Sequence, residues 1–347
     1  MFIAENGQHS FGLDISDLAL RFVALKKQKR HFSITAYGER LLPPGLMSEG
    51  KILKLDELAA IIIDLLKAPD FGRLKIKEVV SCLPETKTFI KLITLPWPKD
   101  HNLTNAITQE AQKHIPLLLA ETYLDWQVIN AKENEYLKIL LGIAPRLIVN
   151  DYIKLLKLVN LTPTVLEIEA AAISRALLPK GELDPQVGLI ILDFGATRSS
   201  VTIYSQNTIQ FSLTIPVSGV QLTQILAAKN NLTYENAEEI KINQGLQNEV
   251  LQEAIKPLLT RLKETLEFCQ LNFPQAPAPQ TILLTGGGCH LIGLGRLIQN
   301  TFNLPVEIAN PFANLKGALP QKHAFSYSTA IGLAIRGCQP EKFYDFS

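Results

Sequence analysis

The sequence predicts an α/β protein of two similar lobes around a cleft, and three observations carry that expectation. The segment GLDISDLALRFVAL from Gly12 and the segment ILDFGATRSSVTIY from Ile191 share one pattern: an apolar strand ending in Asp, a tight polar turn, and a second alternating strand. Asp14 and Asp193 stand 179 residues apart, a spacing that suits duplicated halves. A Gly-rich strand end, LLTGGGCHLIGL from Leu283, brings Gly286 93 residues after Asp193. Turn amides left unpaired by a sheet form an anion-binding concavity, so two such hairpins facing each other suit a phosphate group. Either hairpin alone is an ordinary connection between strands; order and spacing set the pair apart.

The elements follow in chain order. Residues 11–16, 19–27 and 31–38 alternate as three strands, with Phe32, Ile34 and Ala36 on one face. Pro43-Pro44-Gly45 breaks that run. Residues 55–67 read as a helix apolar enough to lie on a sheet, and 78–83 as a buried strand. From Pro84 the pattern changes to a strand over 86–95, a helix carrying Leu103, Ile107 and Ala111 at four-residue spacing, and strands over 123–130 and 136–144. This stretch, 84–144, reads as a small inserted α/β module. Its Trp97 and Trp126 are expected in an internal core, the usual place for aromatics.

An amphipathic helix over 146–159, a short strand at 164–166 and a helix over 168–178 complete the first half. Residues 179–186, rich in Pro and Gly, form the crossing. After the second hairpin come a strand at 208–215 and three polar helices reaching Phe273. The run 274–279 is too Pro-rich for helix and should be a rigid connector returning the chain to a strand at 281–285. The first lobe is therefore expected over 1–83 and 145–186, the module over 84–144 protruding from it, and the second lobe over 187–347 with a mainly helical subdomain at 218–279.

Composition bounds the function. At 347 residues the chain is too long for one ordinary core. The net charge of +1 gives no broad field for nucleic acid. The basic cluster at Lys26, Lys27, Lys29 and Arg30 falls at an expected turn. Cys82, Cys269, Cys289 and Cys338 show no metal-ligand spacing and read as reduced thiols of a cytosolic protein. The N-terminus MFIAENGQHS has no secretory pattern. The best apolar runs, 58–66 and 187–192, are broken or ended by Asp64 and Asp193, so no membrane insertion is expected.

With these motifs the chain resembles the actin-like ATPase superfamily, which has a ribonuclease H-like fold. The hairpins look like its two phosphate motifs and Gly286-Gly287-Gly288 like its adenosine motif. Four further stretches resemble the FtsA/PilM branch, in particular the cytoplasmic PilM-type proteins of type IV pilus assembly: SCLPETKTFIKLITLP from Ser81, IPLLLAETYLDWQVI from Ile115, LTYENAEEIK from Leu232 and AIGLAIRG from Ala330. The resemblance implies ATP or ADP with Mg²⁺ as cofactors, and a scaffold of a pilus or related type II secretion platform peripheral to the inner membrane. It implies a groove beside the module for the N-terminal cytoplasmic peptide of a PilN-like membrane protein. The pilus assembly ATPase and a second copy of the chain are further candidate partners. Two alternatives remain: an FtsA-like filament, although GCQPEKFYDFS lacks the periodicity of a membrane helix, and a small-molecule kinase, for which no motif supplies a general-base Asp.

Residue by residue, Asp14 and Asp193 are expected to face each other and hold the water shell of Mg²⁺. Gly195, Ala196 and Thr197 keep a small, open phosphate turn. In the first turn Ser16 offers a hydroxyl, but Asp17 stands where the superfamily usually has a small hydroxyl residue. It either points to solvent or weakens phosphate binding. Gly286, Gly287 and Gly288 let backbone pack against purine and ribose. Glu238 and Lys241 match positions that contact the nucleoside, and by spacing alone they are equally an i,i+3 ion pair. LEIEAAAIS from Leu166 puts Glu167 at the place of a water-positioning acid; the competing reading is that Glu167 caps the following helix. His290 is expected to cap the helix after the glycines. Hydrolysis is expected to be slow or absent.

Overall fold

The computed structural model describes residues 10–29, 31–97, 103–114, 118–132, 135–178, 183–313, 315–317, 320 and 323–339. The N-terminal segment before Ser10, the start of the IPLLL stretch, the crossing at 179–182 and the ending beyond Gln339 lie outside the described residues.

The first half runs β1 (Phe11–Ile15), β2 (Ala19–Lys27), β3 (Phe32–Leu41), a small hairpin β4 (Met47–Ser48) and β5 (Lys51–Ile52), α1 (Leu55–Lys67), β6 (Phe71–Gly72) and β7 (Glu78–Leu83). The module supplies β8 (Phe89–Pro96), α2 (Leu103–Gln112), β9 (Thr122–Lys132) and β10 (Tyr136–Pro145), after which α3 (Arg146–Leu158), β11 (Thr162–Ile168) and α4 (Glu169–Leu177) return to the first lobe. The second half contains β12 (Gly188–Phe194), β13 (Ser199–Ser205), β14 (Thr208–Ile215), α5 (Gly219–Asn230), α6 (Tyr234–Gln244), α7 (Glu249–Asn272) and β15 (Pro279–Thr285). It continues with α8 (Leu294–Phe302), β16 (Val306–Ile308), β17 (Leu315–Lys316) and α9 (Ser328–Gly337).

The two main sheets repeat one topology. In the first the order is β11-β7-β1-β2-β3, with β1 antiparallel to β2 and parallel to β7. In the second it is β16-β15-β12-β13-β14, with β12 antiparallel to β13 and parallel to β15. Asp14 pairs with Arg21 and Asp193 with Ser200, each one residue before its strand ends. The duplication read from spacing is thus a duplication of strand order and register.

Burial explains why β1 lacks an exposed face. Phe11, Leu13 and Ile15 point into a core with Leu58, Ile62 and Leu65 of α1 and Tyr152 and Leu155 of α3. Gly12 lies under α9 on the other side. A Cβ at Gly12 would meet Ala330 O at 2.3 Å, and one at Gly332 would meet Ala172 O at 1.8 Å, so bare backbone lets α9 lie against both β1 and α4. Helix α9 and strand β17, which pairs with β3, therefore belong to the first sheet. This corrects the expected boundary that gave all of 187–347 to the second lobe: the chain returns because the glycine surface of β1 and the small-residue face of α4 can be covered only by a helix of close approach.

The module has its own core of Ile93, Leu95, Ile107, Ala111, Val128, Leu137, Ile139 and Leu141, with Trp97 and Trp126 packed against it. Its strands do not simply protrude from the first lobe. Strand β8 meets β14 at Phe211 and Lys91, making the module an extension of the second sheet. A satellite cluster of Ile90, Ile168, Ala170 and Ile209 seals this junction.

Candidate nucleotide cleft

The cleft is built where the two repeated strands end. The first turn is closed by Ser16, whose amide and hydroxyl both donate to Ala19 O, at 3.0 and 2.9 Å. The second is closed by the Gly195 amide donating to Arg198 O at 3.0 Å. The N-terminus of α5 is fastened beneath this turn, with the Gly219 and Val220 amides donating to the carbonyls of Gly195 and Ala196. Ala196 is exposed at the tip, and among the described residues no backbone carbonyl accepts from its amide or from that of Thr197. This is a turn that can offer amides to an anion.

Asp14 and Asp193 are close enough that the charge of one raises the pKa of the other. Desolvation, then the nearby Glu169 carboxylate, pushes both up to about 7. Asp14 is buried and takes a 3.5 Å contact from the Cys82 thiol, whose own pKa burial and the Asp14 charge push well up. A third carboxyl, Glu85, is pushed up to about 8 by burial and then by Glu169, with Arg198 partly relieving it, and among the described residues neither of its oxygens has a hydrogen-bond partner. Among the described residues no three of these acids group closely enough to hold a metal ion directly, so a hydrated Mg²⁺ would reach Asp14 and Asp193 only through its waters, which would restore their ionised form.

Gly286 and Gly288 complete the wall. A Cβ at Gly286 would meet Asp193 Oδ1 at 2.2 Å, one at Gly288 would meet the Phe194 ring at 2.3 Å, and the Gly288 amide donates to Phe194 O. Gly287 is exposed, and its Cβ would meet only Ser326 Oγ, at 3.0 Å. Lys241 Nζ donates to Gly219 O at 3.1 Å, Thr223 Oγ1 at 2.8 Å and Glu238 Oε2 at 2.7 Å. The Glu238–Lys241 pair of α6 is thereby tied to the helix start beneath the turn at Gly195 and Ala196.

Three expectations change. Asp17 neither faces solvent nor stands free: it is buried, accepts from the Gly50 amide at 2.8 Å and lies 3.5 Å from Arg198. Glu167 does not cap α4, whose cap position is Ile168. It sits in β11 and accepts two bonds from the Arg175 guanidinium, at 2.6 and 2.5 Å. Burial alone would raise its pKa, but Arg175, with help from Arg336, holds it below the ordinary value. His290 lies before α8, whose start is capped at Gly293, and its ring packs edge-on against Phe325.

Three residues escaped the sequence reading, the buried Glu85 among them. Arg198, the last residue of the second turn, reaches across to Asp17 and to Glu169 Oε2 at 3.3 Å. Glu169, first residue of α4, is the acid whose charge reaches Asp14, Asp193 and Glu85. The available signal for Glu169 was its place at a helix start. Arg198 gave none, because its partners lie 29 and 181 residues away.

A pH dependence follows. Carboxyls whose folded pKa is raised stabilise the fold fully below the unfolded value near 4, and that contribution is lost as pH rises through about 7. As pH rises past that value the ionised forms gain, and they are the forms that would suit a hydrated cation. Binding of Mg²⁺ with nucleotide is expected to weaken by about tenfold for each carboxylate reprotonated per pH unit below 7, read as a smaller thermal shift at pH 6 than at pH 8.

Two repeated sheets with facing strand-end turns and a glycine loop against the second Asp define the actin-like ATPase fold. The chain belongs to the family described as type IV pilus assembly protein PilM, whose model matches residues 12–338. A solved structure described as a PilM-PilN type IV pilus biogenesis complex is similar at 25% identity and a TM-score of 0.84, over 96% of this chain and 99% of that one. MreB 5 of Spiroplasma citri bound to AMPPNP shares the fold, with a TM-score of 0.54 and 13% identity over 95% of this chain and 96% of that one. Cell division protein FtsA of Pseudomonas aeruginosa is 24% identical over 189 residues, 46% of this chain and 44% of the relative. FtsA of Neisseria meningitidis serogroup B is 25% identical over 201 residues, 50% of this chain and 48% of the relative. The chain spans less than half the length of these curated relatives. Among the described residues, no helix is long and apolar enough to cross a membrane.

Proposed function

We propose that this protein is a nucleotide-responsive scaffold of the type IV pilus inner-membrane platform, binding Mg²⁺ with ATP or ADP between its lobes and the cytoplasmic N-terminal peptide of a PilN-like protein beside the module. The observation that carries the nucleotide half is the pairing of Asp14 and Asp193 at equivalent strand ends, with the Gly286 loop against Asp193. The turn at Gly195, Ala196 and Thr197 would take phosphate, and Gly287 would lie against the nucleoside. Mg²⁺ would supply charge neutralisation between the phosphates and the two carboxylates. The engagement of Glu167 by Arg175 supports slow or absent hydrolysis, since that acid is already spent on a structural pair.

The partner half rests on family membership and on a cavity of about 490 Å³ where the first lobe, the module and the second sheet meet. Strands β8 and β14 pair only at Lys91 and Phe211, then diverge, and the cavity opens between Thr88–Ile90 and Ser212–Thr214 with Ile168 at its floor. Diverging strand edges suit an extended peptide, which can bond to backbone on either side. The test is calorimetric titration with a synthetic peptide of a PilN-like cytoplasmic segment. Ser212→Trp is expected to weaken binding at least tenfold without lowering the melting temperature. An intact chain that ignores the peptide with and without Mg-ATP, yet binds lipid vesicles, would replace this reading with an FtsA-like one.

A further inference from the structure

We propose that Arg198 is the side-chain ligand for the terminal phosphate of a nucleoside polyphosphate, and that the phosphate takes it from Asp17 and Glu169 of the opposite lobe. The inference rests on the nucleotide reading above and deepens it. Arg198 ends the second phosphate turn, and its backbone is fixed by the bond from Gly195. Its side chain leaves that lobe and spends one terminal nitrogen on Asp17 Oδ2 at 3.5 Å and the other on Glu169 Oε2 at 3.3 Å. All three side chains are largely withdrawn from water, at 14%, 9% and 13% exposure, so each charge needs a partner.

The geometry is that of a contact able to exchange. Charge-assisted pairs of the strong kind close to about 2.7–2.9 Å and are often two-pronged. Here each acid receives one long contact, and the planar fork is split between two carboxylates that repel one another. Asp17 keeps a second donor when Arg198 leaves, because the Gly50 amide holds its other oxygen at 2.8 Å. A phosphate on the amides of Ala196 and Thr197 would lie beside the root of this same arginine and offer it a two-pronged site. The exchange would convert phosphate binding into the loss of an inter-lobe ion bridge, a direct means of biasing lobe arrangement.

Calorimetry with Mg-ATP and Mg-ADP on the full chain tests this. Arg198→Ala is expected to weaken Mg-ATP binding by at least about tenfold, and Mg-ADP less. Asp17→Asn, which removes a competitor for the arginine, is expected to tighten Mg-ATP binding by about three- to tenfold. In the Arg198→Ala background the same Asp17→Asn change should alter affinity less than twofold. Should Arg198→Ala not fold, Arg198→Lys, which keeps the charge and loses the fork, is expected to weaken Mg-ATP in the same order. Wild-type affinity in the folded Arg198 variants overturns the proposal, as does an equal gain from Asp17→Asn in both backgrounds, which would mean direct repulsion of phosphate by Asp17. A wild-type chain that binds neither nucleotide overturns the nucleotide reading itself, and this inference with it.

Discussion

Glu167→Ala is expected to lower the unfolding free energy by about 3–5 kcal/mol, the usual cost of removing one partner of a buried ion pair. The carboxylate is 4% exposed and takes both prongs of Arg175, which also donates to Gly332 O in the tightly packed α4–α9 contact. Its loss strands a cation between two helices. Glu167→Gln keeps the shape and loses the charge, and should fall between the alanine variant and wild type. Urea unfolding measures both. A variant as stable as wild type, with a nucleotide turnover that has vanished, would return Glu167 to the catalytic role that its sequence position suggests. Because its pKa is held low, the contribution of this pair is present above the unfolded value near 4.3 and is lost as pH falls below it.

The second large effect separates ligand from fold within one glycine run. Gly287→Glu is expected to abolish detectable Mg-nucleotide binding, a loss of at least about a hundredfold, while leaving the melting temperature within a few degrees. Its Cβ meets only the Ser326 hydroxyl, so the added side chain is expected to take up the space proposed for the nucleoside and to set its charge there. Gly286 and Gly288 cannot serve this test. A Cβ at either collides with Asp193 or Phe194, so substitution there distorts the second hairpin itself, and Gly286 also holds a φ of +81° that side chains resist. Unchanged nucleotide affinity in Gly287→Glu would mean that the purine and ribose do not lie against this loop.

The residues that could be read from the chain are those whose role is set within a few positions. Apolar alternation, a strand-ending Asp and a small turn specify each hairpin locally, so Asp14, Asp193, Gly195 and the glycines from Gly286 stood out, and their spacing exposed the duplication. The stretch 84–144 stood out by its change of pattern, and its α2 and strands carry a core of their own. The sequence reading settled on Glu167 and missed Glu169. These acids flank the point where a strand of period two becomes a helix of period 3.6, and the residue at which that change occurs decides which one meets Arg175 and which one faces Asp14.

What tertiary structure alone decided are the contacts with no local cause. Arg198 crosses from one lobe to the other because two acids, one from the first turn and one from the start of α4, leave it a buried place with opposite charge. Asp17, a defect when read as a phosphate turn, becomes half of that bridge, held in place by the Gly50 amide. Helix α9 belongs to the first lobe because Gly12 of β1 and its own Gly332 let it approach β1 and α4 closely, and the module extends the second sheet because β8 finds a free edge at β14. Patterns of three to ten residues determined the elements and the strand-end turns; packing between segments as much as 181 residues apart determined which charges share the cleft, since burial and opposite charge act through space and leave no period in the chain.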